Sequence, residues 1–445
     1  MTAYHTFTNR FDTTMEQLII FLGKGPSTDK VQAGTYRQAT YFMKDGPTEE
    51  IETPFVGEAL ARLHPGRFDA IHILGTAGSM WGVLLEHFGH ALQDDALIEE
   101  VLSLREADPD VLPSRIASAV TTSVGTALDT NVYPHLIPVG KSNEDYWQML
   151  KQLTALNITS GTVSIDVTHS LRSHPIFLLL ALVYFRALHT DLRLGSVFYG
   201  ALVLTQDYFD GRTPIFDLRP MVKLLDWIEA ASAFDRYGDA SPIATLIEQE
   251  DGDFDDLAKR ARYVSQVLQL NTLSDIQANT SKMISYLDRS ATDQSPLLEI
   301  IKPQLSALPK QLQDIPKWQA MLTVARQHWD SYRAGLAVLA LWEAIIERLS
   351  DVYGVSRDQE RSTYSELSKR ACGHGCTRWY NSKGLKHFPD KADQLRKYRN
   401  GIAHPRDQEY QPPEVYSNFP DILDYFEEHL GADVLHELPR AKSLT

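Results

Sequence analysis

The stretch "TVSIDVTHSLRSHP", residues 162–175, decides the fold predicted for the first half of the chain. It begins as an apolar, β-branched strand, continues into Asp166, Thr168 and His169, and leads into a strongly apolar helical segment. A strand that is apolar on both faces and precedes a helix is typical of a parallel sheet covered on both sides. Ligands of such sheets bind at the carboxyl ends of the strands, so these polar residues mark a candidate site.

The same alternation of short apolar runs and helical patterns extends from Glu16 to about Leu218. The strand candidates are 16–23, 36–43, 69–75, 132–139, 162–167 and 195–204, and the clearest helices are 79–90 and 171–189. This alternation predicts a Rossmann-like α/β domain.

From Met221 onward the chain has helical periodicity and no convincing strand. The prolines of "ALPKQLQDIPKW", residues 307–318, indicate a joint between two helical segments. We therefore predict an α/β domain over 1–220, an all-α connector over 221–315 and an all-α domain over 316–445.

The whole-chain composition excludes several classes of protein. A net charge of −15 over 445 residues disfavours broad, non-specific binding to nucleic acid. The longest apolar run, Ile176 to Phe185, is half a membrane span, and the first residues lack the pattern of a signal peptide. Cys372 and Cys376 are the two cysteines, so no disulfide framework is available. We expect a cytoplasmic protein that has no membrane partner.

Three predicted strands end in loops rich in glycine, hydroxyl and basic residues, and all three loops would lie on the same edge of a parallel sheet. Glycine lets a ligand approach the backbone, and amides at a helix N-terminus attract phosphate. The alternative is that these residues only turn the chain and cap helices. Asp166 either caps its turn or supports His169 from behind. The candidate lining residues are Gly23, Lys24, Gly25, Thr76, Ala77, Gly78, Ser79, Met80, Trp81, Thr168, His169, Ser170, Arg172 and Ser173.

These loops resemble a known family. "FLGKG", "ILGTAGSMWGVLLE", "IDVTHSLRSHP" and "DLRPMVKLLDWIEAASAF" look like the successive signatures of the CRISPR-associated DxTHG-motif proteins, whose N-terminal half is a CARF domain. Ser170 stands where the motif has glycine. The resemblance implies a homodimer, with a higher oligomer left open, that senses cyclic oligoadenylate through the candidate lining residues. It favours cyclic tetra-adenylate as activator, with cyclic hexa-adenylate as the alternative. Trp81 would pack on an adenine.

A second candidate site is the stretch "LRKYRNGIAHPRD", residues 395–407. Arg399 and His404 form an R-x-x-x-x-H pattern, which also occurs by chance at Arg67 and His72. On a continuous helix Asn400 and His404 share a face, whereas Arg399 lies about 140° from His404. One copy of the chain therefore makes an incomplete site, unless Gly401 distorts the helix or a second copy completes it.

The residue types of this second site suit RNA cleavage without a metal ion. The 2′-hydroxyl of RNA would attack its own 3′-phosphate, His404 would transfer a proton, Arg399 would stabilise the charge on phosphate, and Asn400 would orient the scissile group. The alternative is a helix end that carries ordinary surface charges. "RNGIAH" resembles the motif of HEPN ribonucleases, which accompany CARF domains. The same resemblance makes Glu343 a candidate supporting residue.

These resemblances imply a type III CRISPR defence protein that cleaves single-stranded RNA when it binds cyclic oligoadenylate, with no cofactor or metal. Two alternatives are a regulator whose HEPN domain serves dimerisation and an enzyme that degrades the cyclic nucleotide itself. "ACGHGC" contains Cys372, His374 and Cys376, but no fourth residue at a zinc-binding spacing accompanies them. This spacing disfavours metal binding by Cys372, His374 and Cys376 but does not decide it.

Overall fold

The computed structural model describes residues 15–23, 38–89, 94–107, 109–169, 171–250, 254–290, 295–356, 361–404 and 410–440. The chain divides into two compact units, Met1–Lys223 and Leu224–Thr445. The first division predicted from the sequence, at 220/221, lies three residues from the division between the units.

The first unit is built on an eight-stranded sheet with the strand order β3-β2-β8-β7-β6-β1-β4-β5. Five neighbouring strands, β7, β6, β1, β4 and β5, run parallel to one another. The strands are β1 (Glu16–Leu22), β2 (Ala39–Met43), β3 (Glu50–Thr53), β4 (Ala70–Gly75), β5 (Asn131–Leu136), β6 (Gly161–Asp166), β7 (Leu192–Gly200) and β8 (Arg212–Asp217).

The parallel arrangement expected from the sequence is correct for these five strands, but the whole sheet is mixed, because β8 pairs antiparallel with β7 and β3 pairs antiparallel with β2. Neither β3 nor β8 is among the strands predicted from the sequence. The β8 segment contains Pro214, which argues against a central strand, and β3 is a short, polar strand at the sheet edge. The strand predicted over 195–204 ends at Gly200, and Leu202–Leu204 forms a short 3₁₀ helix.

Both faces of the sheet are covered, which explains the continuous apolar runs of its strands. Leu18 and Ile71 belong to the core on one face, whereas Ile19 and Leu74 belong to the core on the other. The helices of this unit are α1 (Val56–Leu63), α2 (Trp81–His87), α3 (Asp95–Ala107), α4 (Ser114–Leu128), α5 (Asn143–Ala155), α6 (Ser173–Leu188) and α7 (Thr205–Tyr208).

The second unit is helical throughout its described residues, as its apolar periodicity predicts. Helix α8 (Arg219–Tyr237) contains the division between the units. The remaining helices are α9 (Ser241–Ile247), α10 (Asp255–Leu270), α11 (Ile276–Ser290), α12 (Pro296–Gln311), α13 (Lys317–Asp330), α14 (Ala334–Tyr353), α15 (Arg361–Ala371), α16 (Thr377–Ser382), α17 (Phe388–Ala403) and α18 (Pro412–His429).

One hydrophobic core runs through the second unit. Leu312 and Trp318, on either side of the division predicted at 315/316, are both members of this core. Pro316 precedes α13 as its N-cap, whereas Pro309 lies inside α12. The separation of a connector from a final domain therefore stays a prediction. None of the helices in the described part of the chain is long and apolar enough to cross a bilayer.

Candidate functional site

The predicted loops of the first unit meet because β6, β1 and β4 are adjacent and parallel. Hydrogen bonds join the first two loops directly: the Ser79 hydroxyl donates to the Leu22 carbonyl at 2.7 Å, and the Met80 amide donates to the Gly23 carbonyl at 3.1 Å. The Ser79 hydroxyl also accepts from the Thr76 amide at 2.9 Å. Ser79 thus fixes the shape of the second loop against the first.

A cavity of about 500 Å³ opens at this edge of the sheet, within the usual range for small-molecule sites. Seven predicted residues line it: Gly23, Thr76, Ala77, Gly78, Ser79, Thr168 and His169. Four others, Met80, Trp81, Arg172 and Ser173, are not among its lining residues. Lys24, Gly25 and Ser170 lie outside the described residues.

The stacking role expected for Trp81 is wrong. Its side chain is 1% exposed and belongs to the core beneath the loop. The indole Nε1 donates to the Thr76 carbonyl at 3.0 Å, and the ring fills the space that a Cβ atom at Gly75 would occupy. Trp81 therefore supports the loop from inside and offers no ring face to a ligand. Met80 is also buried, beside Gly23.

Asp166 caps its turn, one of the two roles considered for it. Its Oδ1 accepts from the Thr168 hydroxyl at 2.5 Å and from the Thr168 amide at 3.1 Å. The Thr168 hydroxyl accepts in turn from the Gly200 amide at 2.7 Å. Asp166 thereby holds Thr168 at the cavity without lining the cavity itself. Burial raises the pKa of Asp166 to about 7.

We expect the melting temperature of the Asp166→Asn variant, relative to that of the wild type, to increase as the pH rises from about 4 to about 7. The raised pKa means that ionisation of Asp166 destabilises the folded state over this interval, whereas asparagine does not ionise. Thermal melts of both proteins across this pH range measure the difference, and the exposed Asp129→Asn is the matched control. If the melting temperature of the variant falls relative to that of the wild type as the pH rises, Asp166 is not a buried ionisable group.

Two histidines line the cavity in their neutral form. Burial lowers the pKa of His169 to about 4 and also lowers the pKa of His174. His174 stacks on Phe21 and its Nε2 lies 3.0 Å from the Val139 carbonyl. The Nε2 of His169 is buried and has no hydrogen-bond partner in the described part of the chain.

Two basic side chains that line the cavity, Arg105 and Lys141, are not among the residues predicted from the sequence. Lys141 follows Gly140 in the loop after β5, which continues the parallel edge next to β4. Gly140 and Lys141 repeat the pattern of Gly23 and Lys24, in which a glycine and a lysine follow a predicted strand. Lys141 could therefore have been predicted as a lining residue from the sequence. Arg105 lies in α3, where no motif marks it.

The candidate residues of the second unit lie at the C-terminal end of α17. Asn400 belongs to its last turn, Arg399 directly precedes that turn, and His404 is its C-cap. The Arg399 Nη1 donates to the Asn400 Oδ1 at 3.1 Å, and the His404 amide donates to the Asn400 carbonyl at 2.7 Å. Asn400 is thus bonded to both other residues. The Arg399 Nε is buried without a hydrogen-bond partner among the described residues.

The distortion considered at Gly401 does not occur, because α17 continues without interruption to Ala403. Gly401 has a different role: a Cβ atom at this position would overlap the ring of Tyr410. The regular helix keeps Arg399 and His404 on different faces, as the helical period requires. A site that uses both side chains on one phosphate would therefore need a second copy of the chain.

Glu343 is hydrogen-bonded to Tyr364, whose hydroxyl lies within electrostatic reach of Arg399. The Trp342 Nε1 donates to the Tyr364 hydroxyl at 2.8 Å, and that hydroxyl donates to the Glu343 Oε1 at 3.0 Å. Burial raises the pKa of Tyr364 to about 12, with a further contribution from Glu343 and an opposing one from Arg399. Glu343 and Arg399 are therefore both close to the Tyr364 hydroxyl.

The cysteine cluster is held by its own backbone. The buried Cys376 thiol lies within bonding distance of the Arg370 and His374 carbonyls, at 3.5 and 3.7 Å. Burial raises the pKa of Cys372 to about 11 and also raises that of Cys376, so neither thiol is ionised at neutral pH. Within the described ranges, no three His, Cys, Asp or Glu residues are grouped to hold a metal ion.

Comparison with known proteins gives two matches. Residues 223–316 match the family described as CRISPR-associated protein MJ1674, second domain. The chain is also 23% identical over 414 residues to the CRISPR-associated protein MJ1674 of Methanocaldococcus jannaschii. These matches support a CRISPR association. The alignment covers 88% of this chain but 62% of the relative, so the chain spans less than two thirds of the relative's length. The family segment begins at the division between the units and ends just before α13.

Proposed function

We propose that the protein is a metal-independent endoribonuclease of type III CRISPR defence that cyclic oligoadenylate activates. The observation that carries the proposal is the cavity at the sheet edge. It combines the cations Arg105 and Lys141 with the Thr76 hydroxyl and with the loop glycines Gly23 and Gly78, in a chain whose net charge is −15. Such a site fits a ligand with phosphates and ribose hydroxyls.

Neutral histidines also fit this ligand. An uncharged imidazole offers one donor and one acceptor, and the ring of His169 lines the cavity, so it is able to bond a ribose hydroxyl or an adenine edge. The neutral imidazole of His169 also supports a second candidate function, which is degradation of the cyclic nucleotide in the cavity. In that reaction His169 would accept the proton of an attacking 2′-hydroxyl.

The proposed ribonuclease activity resides at the end of α17. His404 would transfer the proton of the attacking 2′-hydroxyl, Arg399 would stabilise the phosphate charge, and Asn400 would hold Arg399 in place through the bond that joins them. The products would carry a 2′,3′-cyclic phosphate and a 5′-hydroxyl. DNA lacks the 2′-hydroxyl and would remain intact.

A homodimer is supported by the outer face of α6. Ile176, Leu180, Tyr184 and Leu188 recur every four residues along this helix, and each is more than half exposed. An apolar stripe of this length is typical of a helix that packs against a partner. The same helix contributes His174 to the cavity. Pairing two copies across α6 would bring two cavities close to one two-fold axis, as a cyclic ligand with repeating nucleotides requires.

The test of this proposal is incubation of labelled single-stranded RNA with purified protein in EDTA, with and without each cyclic oligoadenylate. We expect cleavage that one ring size stimulates strongly, with cyclic tetra-adenylate as the first choice, and no cleavage of DNA of the same sequence. If no ring size elicits cleavage, the proposal is wrong. Loss of the cyclic nucleotide without cleavage of RNA would favour the second candidate function.

The role of the cavity is tested in the same assay with Lys141→Ala. Removing one charged contact to a phosphate weakens binding by roughly tenfold, so the activator concentration for half-maximal cleavage should rise by about that factor. Lys151→Ala, which removes an exposed lysine of α5 outside the cavity, is the matched control.

A further inference from the structure

Tyr332 has an unusual backbone conformation. In the described part of the chain, six residues other than glycine adopt a left-handed φ, and Tyr332 is the one that is neither Asp nor Asn, with φ 57°. The others are Asp129, Asn157, Asp210, Asn271 and Asp314. Asp and Asn tolerate this region, whereas a bulky side chain is strained there. Strain of this kind is often retained where a side chain has a function.

Tyr332 is also the most exposed large aromatic residue in the described ranges, at 88%. It lies in the turn between α13 and α14, which backbone bonds hold in shape: the Tyr332 amide donates to the Trp329 carbonyl at 2.9 Å, and the Arg333 amide donates to the His328 carbonyl at 2.8 Å. A rigid turn thus projects this ring into solvent. Burial of the side chain does not account for its presence.

The turn lies at the same end of the helical unit as the candidate catalytic residues. A Cβ atom at Gly335 would be 3.9 Å from Ile402, so the start of α14 touches the last turn of α17. Further along, the hydroxyl of Tyr364, which is bonded to Glu343 of α14, lies within electrostatic reach of Arg399. The two helices are therefore antiparallel, and Tyr332 precedes α14 at the end where His404 terminates α17.

Further aromatic side chains extend this surface. The ring of Trp329, at the end of α13, lies 5.8 Å from the ring of Tyr416, which is more than half exposed. Tyr416 belongs to the early part of α18, and α18 packs along the end of α17 through the bond from Asn418 to the Tyr398 hydroxyl at 3.2 Å. Exposed aromatic rings beside a strand-cleaving site are typical platforms for unpaired bases.

We propose that Tyr332 stacks on an unpaired base of the RNA substrate next to the phosphodiester that is cleaved. This inference rests on the proposed ribonuclease function and adds a substrate-positioning residue to it. Stacking tolerates any base, because every base has a flat face. Tyr332 therefore contributes to RNA affinity with little dependence on sequence, and its strained backbone holds the ring ready for the base.

The test combines stability, binding and kinetics of Tyr332→Asn. Asparagine tolerates the left-handed φ, so the variant should melt at a higher temperature than the wild type. Its KM for RNA should rise by between about 5-fold and about 150-fold, the effect of removing one stacked base, while kcat changes less. Tyr332→Phe, which keeps the ring, should retain the KM. Tyr263→Asn, an exposed tyrosine of α10, is the matched control.

Binding is measured separately, so that the two proposals can fail independently. A fluorescein-labelled oligoribonucleotide of mixed sequence is titrated with three proteins in the presence of cyclic tetra-adenylate. These are the His404→Ala variant and its double variants with Tyr332→Asn and with Tyr332→Phe. Equal affinity of all three, or absence of binding by all three, overturns the role of Tyr332 even if the wild type cleaves RNA. A change of oligomeric mass in Tyr332→Asn overturns it as well, because the ring would then lie between copies of the chain. Absence of cleavage by the wild type overturns the ribonuclease function instead.

Discussion

Replacing His404 by alanine is expected to reduce activated RNA cleavage by at least about 100-fold, the usual contribution of a positioned proton-transfer group. Arg399→Ala should reduce it by about 100- to 1000-fold, because one fixed donor to the developing phosphate charge is lost. Both residues lie at the end of α17, where Arg399 is bonded to Asn400. Initial rates with saturating activator in EDTA measure both effects.

Two exposed residues of the same unit are matched controls for these substitutions. His374→Ala and Arg378→Ala remove the same side-chain types outside the α17 terminus, and should leave the rate within about twofold of the wild type if the effect is specific. Melting temperatures establish that the variants are folded. Full activity in His404→Ala would show that Arg399 and His404 are ordinary residues of a helix end, and that any cleavage originates elsewhere.

A charge in the apolar stripe of α6 is expected to have the second largest effect. Leu180→Asp should convert the dimer to a monomer and abolish activation by cyclic oligoadenylate, because two carboxylates would be buried against apolar side chains. Each lost leucine contact also removes about 1.5–3 kcal/mol of burial free energy. Sedimentation or light scattering measures the mass, and the cleavage assay measures activation.

Val111→Asp is the matched control for this substitution, since Val111 is also an apolar residue that is more than half exposed, in the loop before α4. It should change neither the mass nor the activation. If Leu180→Asp stays dimeric, the dimer uses another surface of the chain. If it becomes monomeric but still responds to the activator, one copy of the cavity is sufficient for sensing.

The sequence predicts the site most reliably where one strand leads directly into polar residues. The stretch from Thr162 to Pro175 correctly indicated β6, α6 and the polar turn between them. It could not show whether a given loop residue faces the cavity or the core. Trp81 was expected at the ligand and is buried, because the missing side chain of Gly75 leaves room for its ring inside the loop.

Residues far apart in the chain were harder to predict. Arg105 reaches the cavity from α3, and nothing in the sequence near it indicates a ligand. In the second unit, the pattern from Arg399 to His404 was visible, but the exposed ring of Tyr332 beside the same helix end was not. Its position depends on the contact between Gly335 and Ile402, which are 67 residues apart in sequence.

The sequence by itself determined the α/β unit, the helical character of the second unit and the location of polar loops at strand ends, because apolar periodicity and turn chemistry are local properties of the chain. The tertiary structure decided the mixed strand order, the insertion of β8 despite Pro214, the cations of the cavity and the regular course of α17 through Gly401. Those features depend on which distant side chains share a space, and packing between remote segments leaves no periodic signal in the sequence.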